Sequence, residues 1–378
     1  MLDCLIVGAG PAGSTAAYYL AKKGHSVLVL EKETLPRYKP CGGGVSPAVA
    51  KWFDFDFQPV IAATVNQVRY SWKLGDMVKV PLKSSQPMWM VNREEFDQFL
   101  IDKAKEKGAE VKANTEVTGV EEKGDGVTVV TSVGSFAARY LIAADGANGP
   151  CAGYLGLKAS KQFLAASLEV QTPVTPENSQ TAHFDFGSLK NGQIWLFPKA
   201  NGYSISAGFL GGKGKEKELE KQLKNFATKL GLDISKSEYC QSCINLWSEN
   251  KILHSSKALL AGETAGIVDP LTAEGIRPSI FSGMKSAEYI SEALSGNKEA
   301  LSQYTKIIEQ EWGSDLVLAQ RLAGLFYKFP KIAYKVGVKR PSAAQIMSKV
   351  LCGELRYSDV TEQAMKRLKS SLIPGRSG

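Results

Sequence analysis

The run Leu5-Ile6-Val7-Gly8-Ala9-Gly10-Pro11-Ala12-Gly13, with Glu31 closing a second apolar stretch, constrains this chain more than any other feature. The order predicts a buried strand over residues 5–7, a helix over 14–23 and a second strand over 26–30, with the glycines at the strand-to-helix turn. Each glycine has its own duty there. Gly8 permits the tight bend, Gly10 brings the main chain up to a diphosphate with no Cβ between, and Gly13 lets helix and strand pack closely. The free N–H groups and the positive dipole end of the helix then face the anion. Glu31 stands about 20 residues on, where a carboxylate accepts hydrogen bonds from an adenosine ribose, and an acid there argues against a 2′-phosphate.

At 378 residues the chain exceeds one minimal core, so two domains with an appendage are expected. A 44% hydrophobic and 22% charged composition is ordinary for a globular protein. There is no apolar run of the roughly 18 residues a membrane helix needs, and Met1-Leu2-Asp3 opens without a basic leader, so a cytoplasmic protein is expected. The six cysteines are scattered, which does not fit a secreted disulfide framework. Cys240 and Cys243 form a CxxC with no second pair and no nearby histidine, so no metal site is expected; two packed thiols or an incidental disulfide are favoured over a functional dithiol. His25, His183 and His254 stand apart from one another and read as surface or core residues.

Charge is concentrated at the end of the chain. From Ala300 onward 13 Lys/Arg face 6 Asp/Glu, which accounts for +7 of the net +8. Between Asp315 and Glu354 there is no acid, and Arg321, Lys328, Lys331, Lys335, Lys339, Arg340 and Lys349 alternate with Leu325, Phe326, Tyr327, Phe329, Ile332 and Tyr334. Basic residues interleaved with aromatics suit an anionic lipid surface or an acidic partner, or a solvated helix with one buried side. No nucleic-acid motif accompanies them, so nucleic acid is not expected.

Between these ends, Pro36, Pro40 and Gly42-Gly43-Gly44 predict a loop whose backbone goes where side chains would collide, with Cys41 either beside a ligand or inert in the core. Val60 to Met90 alternates as strands, and Asn92 is a plausible N-cap for a helix carrying Phe96, Phe99, Leu100 and Ala104. Two further strands are expected over 111–120 and 127–133, and a buried strand ends at Ala144-Asp145-Gly146-Ala147-Asn148, where a doubly wound fold places ligand contacts. Residues 193–198 and 203–208 read as a hairpin, with Trp195 and Phe197 on one face to line a pocket or fill a core. A charged helix follows over 213–231; Gly262-Glu263-Thr264-Ala265-Gly266 repeats the strand-to-turn logic, and from about Asn297 the chain reads as helical.

Three of these segments together resemble the FAD fingerprints of the flavin-dependent aromatic hydroxylase superfamily: the N-terminal glycines with Glu31, residues 144–148, and residues 262–266 with Pro270. Within it, Lys39-Pro40-Cys41-Gly42-Gly43-Gly44, Trp195-Leu196-Phe197-Pro198, residues 270–276 and Leu351-Cys352-Gly353-Glu354-Leu355-Arg356-Tyr357 resemble the geranylgeranyl reductase family, over nearly the whole chain. The resemblance implies an α/β fold: a Rossmann-like FAD-binding domain (1–60, 91–155 and 255–296), an inserted antiparallel β-sheet substrate domain (61–90 and 156–254) and a C-terminal helical, basic region (297–378).

It also implies that FAD is held by Gly8, Gly10, Ala12, Gly13 and Glu31, by Lys32 and Arg37, and by Cys41, Gly42 and Gly43. Arg93, Val117, Asp145 and Gly146 join them, with Gly262, Glu263, Pro270, Gly275 and Ile276 from the late segment. The implied reaction is hydride transfer from reduced flavin to C=C bonds of a polyprenyl lipid or chlorophyll side chain, in a dry tunnel lined by Trp195 and Phe197. Cys41 would shape the reacting face or relay the proton. NADPH or ferredoxin would supply electrons, and the basic region would dock on the membrane holding the lipid. Monooxygenase, halogenase and non-catalytic flavin binding are the competing readings.

This sequence departs from the family pattern at Glu263, where Asp is usual, and at Gly149-Pro150-Cys151, where Ser and a base usually follow. Lys190 and Gln193 replace a Pro and a Tyr, and Arg277 replaces an aromatic, changes from which an altered pocket is expected.

Overall fold

The computed structural model describes residues 1–82, 84–175, 178–249 and 251–361. Residues 362–378, the end of the expected helical region, lie outside that set.

The strand Leu2–Val7 lies inside a seven-stranded sheet, parallel to Val27–Leu30 on one side and Gly134–Ala143 on the other. Beyond these, Glu110–Lys112 extends one edge, Gly126–Thr131 and Val117–Lys123 the other, and Ala258–Leu260 pairs parallel with the end of Gly134–Ala143. The carboxyl ends of three parallel strands therefore converge where the glycine turn, the 144–148 turn and the 262–266 turn begin. The helix Pro11–Lys22 starts three residues earlier than the apolar pattern predicts, because Pro11 fits the first helical position.

That helix crosses Ile276–Leu294 closely: a Cβ on Gly283 would lie 3.0 Å or less from the Ala12 main chain, so glycine sets the approach. Asn92 does hold the N-cap position of Arg93–Glu106, but its side chain makes no cap bond and reaches Glu95 instead at 3.4 Å.

The second large sheet runs in the order Glu238–Asn245, Gln162–Val170, Gly202–Gly208, Gln193–Lys199, Thr181–Phe186, Gln67–Trp72 and Gly75–Pro81. The expected stretch Val60 to Met90 divides. Two of its strands form that sheet's far edge, while Ala63–Val65 and Met88–Met90 join Gly44–Val45 in a small third sheet. The predicted hairpin forms, with Trp195 opposite Ser206 and Phe197 opposite Ser204.

Alternation sends Leu168, Leu196 and Ile205 to one face, where Leu219, Leu223 and Phe226 of the helix Glu216–Lys229 cover them. Trp195, Phe197 and Phe184 take the opposite face. Cys240 and Cys243 sit three apart on one strand, so their side chains point to opposite faces; both are free thiols, and the disulfide alternative falls.

The C-terminal region is helical through Ala300–Ile308, Ser314–Lys328, Pro330–Ala333 and Pro341–Leu351. Its basic-aromatic interleaving resolves into two faces. Phe326 and Tyr334 pack on Phe186 of the large sheet, whereas Leu325, Phe329 and Ile332 are exposed. Among the described residues no helix is long and apolar enough to cross a membrane.

Candidate active site

One cavity of about 570 Å³ runs from the glycine turn to the aromatic face of the second sheet. At its first end Gly8 adopts φ +99°, and a Cβ there would strike the Ala144 carbonyl, so the bend needs glycine. Gly13 packs against the Gly8 carbonyl from inside the helix. Gly10 is different: its φ of −79° suits any residue, and a Cβ would meet only the Arg37 guanidinium, at an ordinary 3.5 Å. Among the described residues nothing requires glycine at this position. The space that a Cβ would fill belongs to the cavity, which is what a closely approaching pyrophosphate demands.

Glu31 is pinned beside it. Its Oε2 accepts from the Ala9 N–H at 2.8 Å and its Oε1 from the Glu33 N–H at 3.1 Å, while Arg37 Nε lies 3.4 Å from Oε2. Arg37 also donates to Asp97 at 3.0 Å, and Asp97 is gripped by both arms of Arg93 at 2.8 and 2.7 Å. Burial alone would raise the Asp97 pKa; the Arg93 and Arg37 charges overcome it and hold the carboxyl below its ordinary value. The two acids thus fix two guanidinium groups along the cavity wall. Val117 and exposed Lys32 complete this end.

The middle of the cavity is built from the other two turns. Asp145 accepts from Thr264 Oγ1 at 3.0 Å and from the Cys151 N–H at 2.9 Å, and Thr264 accepts from the Gly146 N–H at 2.8 Å, so the two segments clasp each other. Glu263 Oε2 accepts from Lys39 Nζ at 2.8 Å, drawing the proline-glycine loop across. Gly275 and Ile276 open the 19-residue helix Ile276–Leu294 onto the cavity with no capping side chain, as Gly10 and Pro11 open the first helix. Two uncapped positive helix ends facing one cavity suit FAD, which has a pyrophosphate and a ring that takes on negative charge when reduced. Gly13, Gly262 and Pro270 support these turns without lining the cavity.

At the far end Trp195, Phe197 and Phe184 form an apolar wall with Met88, Val268 and Leu351. The Cys41–Gly44 loop lies on it: a Cβ on Gly42 would come within 2.7 Å of the Phe197 ring and 2.9 Å of Trp195 Nε1. Cys41 is half-buried, its sulfur accepting from the Gly43 N–H at 3.4 Å. Lys199 Nζ donates to the Val91 carbonyl beneath this loop, and burial lowers its pKa.

The expected pocket change takes another form. Lys190 is exposed, and neither Gln193 nor Arg277 lines the cavity. Gln193 donates to the Leu271 carbonyl at 3.2 Å, and Arg277 binds Glu274 with both arms, at 2.8 and 2.9 Å, under Trp312. Both substitutions brace the segment 269–277 rather than reshape the wall. Asp269, whose pKa burial raises, is tied to Tyr357 at 2.7 Å, so the C-terminal helices close over the same segment.

Sequence reasoning passed over Tyr38, Ser167, Ser204, Ser206 and Glu169, a polar row beside the aromatic wall. The signal for it is the serine at every second position in Ser204-Ile205-Ser206, a stretch that the sequence reads only as one arm of a hairpin.

The FAD binding domain family model matches residues 1–310. An uncharacterized protein of Methanosarcina barkeri is 31% identical over 86% of this chain and 84% of its own length. The geranylgeranyl diphosphate reductase of Rhodobacter capsulatus is 27% identical, with 92% of each chain covered. Among solved structures, a geranylgeranyl bacteriochlorophyll reductase-like protein from Thermoplasma acidophilum superposes with a TM-score of 0.82 at 21% identity, covering 97% of this chain and 98% of that one. The three glycine turns meeting on one cavity and these likenesses agree: the chain is an FAD-binding flavoprotein of the FAD binding domain family, similar along most of its length to proteins named as geranylgeranyl reductases.

Proposed function

We propose that this protein is an FAD-dependent reductase that saturates C=C bonds of a polyprenyl chain of the geranylgeranyl type. The observation that carries the reading is the single cavity, which joins a pyrophosphate cradle at Gly8 and Gly10 to an apolar wall of Phe184, Trp195 and Phe197. Bound FAD supplies two-electron reducing power there in the form of hydride. An isolated alkene has no carbonyl to polarise, so this chain's own contribution is orientation and exclusion of water. Trp195 and Phe197 press the prenyl chain flat, and the glycine loop 42–44, packed against these two rings, holds Cys41 beside them. Leu351 closes the wall from the C-terminal helices.

A lipid substrate has to be taken from a bilayer. Leu322, Leu325, Phe329, Ile332 and Val336 are all exposed at alternating steps of three and four residues, flanked by Arg321, Lys328, Lys331 and Lys335. This strip docks on the anionic cytoplasmic face of a membrane. NADPH docking transiently, or ferredoxin, supplies the electrons.

The test is anaerobic. The purified flavoprotein is reduced with dithionite and mixed with geranylgeranyl diphosphate. Reoxidation of the flavin, with a product heavier by one H₂ per reduced bond, supports the reading. Reoxidation only by oxygen, coupled to a hydroxylated product, replaces it with the monooxygenase reading.

A further inference from the structure

Saturating an alkene requires a proton as well as a hydride, and the dry wall of Trp195 and Phe197 offers none. The same sheet face carries an unusual row beside that wall. Antiparallel pairing sets Ser167 opposite Ser206 and Glu169 opposite Ser204, and Trp195 and Phe197 are the next cross-strand partners of Ser206 and Ser204. All six side chains therefore share one face. Ser167, Ser204 and Ser206 are at most 2% exposed, where an alanine or valine would be the ordinary choice on a packed sheet.

The row is hydrogen-bonded end to end. Glu169 Oε1 accepts from Ser204 Oγ at 2.8 Å, Ser204 and Ser206 hydroxyls are 3.4 Å apart, and Ser206 and Ser167 hydroxyls are 2.8 Å apart. Its two ends open differently. Ser167 and Ser206 line the cavity, whereas Glu169 does not: it is partly exposed and accepts at 3.1 Å from the hydroxyl of Tyr38, which is exposed and also borders the cavity. Ser204 also lies 3.4 Å from the Cys41 carbonyl, which fixes the row against the loop over the reacting end.

The geometry points to a proton-delivery row that runs from solvent at Tyr38 and Glu169 through Ser204 to Ser206 at the reacting end of the cavity. This inference rests on the proposed reductase activity and supplies its second half. As hydride from the reduced cofactor takes one alkene carbon, the π bond breaks and the other carbon forms its new C–H bond with the proton of Ser206 Oγ. Ser206 regains a proton from Ser204, Ser204 from the Glu169 carboxyl, and Glu169 from water at its outer end. The hydroxyls end as they began, and the only net consumption is one hydride and one proton. Ser206 is the catalytic residue of the row; Glu169 and Ser204 act through it.

The surroundings favour an acid at Glu169. Burial raises its pKa, and Glu238 on the neighbouring strand adds to the rise; hydrogen bonds from Ser204 and Tyr38 and the charge of Lys199 oppose it. Cys240, opposite Ser167 on that same neighbouring strand, also faces the carboxylate. An acid that must be protonated to donate gives a rate that falls as pH rises through its pKa.

The test uses the intact flavoprotein, reduced anaerobically and mixed with geranylgeranyl diphosphate in H₂O and D₂O, together with the flavin-free chain for infrared spectroscopy. Glu169→Gln and Ser206→Ala are expected to slow reoxidation on the order of a hundredfold, and Glu169→Gln to abolish the falling alkaline limb and the solvent isotope effect. Glu169→Asp, which keeps an acid, restores the limb. In the flavin-free protein, a protonated-carboxyl stretch titrating above the ordinary glutamate range disappears in Glu169→Gln and shifts in Ser204→Ala. Wild-type reoxidation with unchanged rates and pH profiles in both variants overturns the relay and leaves the reductase reading standing. A wild-type protein that geranylgeranyl diphosphate does not reoxidise overturns the reductase reading, and the relay with it.

Discussion

Lys39 Nζ donates to Glu263 Oε2 at 2.8 Å, across 224 residues of sequence. This ion pair ties the proline-glycine loop to the late glycine turn on the wall of the cavity, and it involves Glu263, which stands where the resembled motif implies an aspartate. A glutamate reaches one methylene further, which is how it can meet Lys39 and still accept from the Asn245 N–H at 3.4 Å. Removing the lysine leaves a carboxylate facing an anionic cofactor. Lys39→Ala is expected to weaken FAD binding about tenfold, or about 1.4 kcal/mol. Titrating the flavin-free protein with FAD by fluorescence measures it, and an unchanged affinity refutes the role given to the pair.

Gly10 and Gly8 make opposite predictions although they stand two residues apart. Gly10→Ala melts at the temperature of the flavin-free wild type, since the new methyl meets only Arg37 at 3.5 Å, yet the protein purifies without flavin. Gly8→Ala has no such freedom: with φ +99° and the Ala144 carbonyl in the way, the turn itself must shift, and stability falls by roughly 1–3 kcal/mol. Thermal melts beside the absorbance ratio of flavin to protein separate the two outcomes. A colourless Gly10→Ala protein that is also less stable than the flavin-free wild type contradicts the assignment.

Much of this was legible in the chain. The first turn is local, so glycine spacing and the following acid determine it without tertiary information, and the Trp195 and Phe197 face follows from a period of two. What was not legible depends on partners distant in sequence. Asp145 reads as a ligand contact at a strand end, and only the fold brings Thr264 and the Cys151 N–H to its two oxygens. Arg277 and Gln193 read as pocket residues because they interrupt motifs, but their side chains turn toward Glu274 and Leu271. The aromatic residues of the basic region alternate too tightly for sequence to separate Tyr334, wholly buried, from Ile332, 64% exposed.

That exposed strip should be dispensable for folding. Leu325→Ser with Ile332→Ser removes two side chains, each 64% exposed, so the melting temperature should hold. Co-sedimentation with vesicles rich in anionic phospholipid should fall several-fold, and with neutral vesicles the wild type should already bind poorly. Raising the salt concentration should weaken the wild type in the same direction, because the Lys and Arg contribution is screened. Equal sedimentation of the variant and wild type removes the docking role.

Lys251 supplies a pH signature for the late turn. Its ammonium donates to the Ala265 carbonyl at 2.9 Å and to Ser160, fastening the turn that carries Glu263. Burial, with help from the Lys158 charge, lowers its pKa from 10.5 to about 8. The folded protein thus sheds a proton that the unfolded chain keeps between about pH 8 and 10.5, and there stability should rise with pH. Buried thiols work the other way: burial raises the pKa values of Cys4 and Cys151, so the folded state holds protons that the unfolded chain loses above about pH 9. The total curve mixes these contributions, and the difference between wild type and Lys251→Met isolates the lysine. Denaturant melts should show the wild type gaining on the variant steadily from pH 8 upward. A difference independent of pH over that range would mean that Lys251 stays charged in the fold, and that its hold on the Ala265 carbonyl is that of an ammonium throughout.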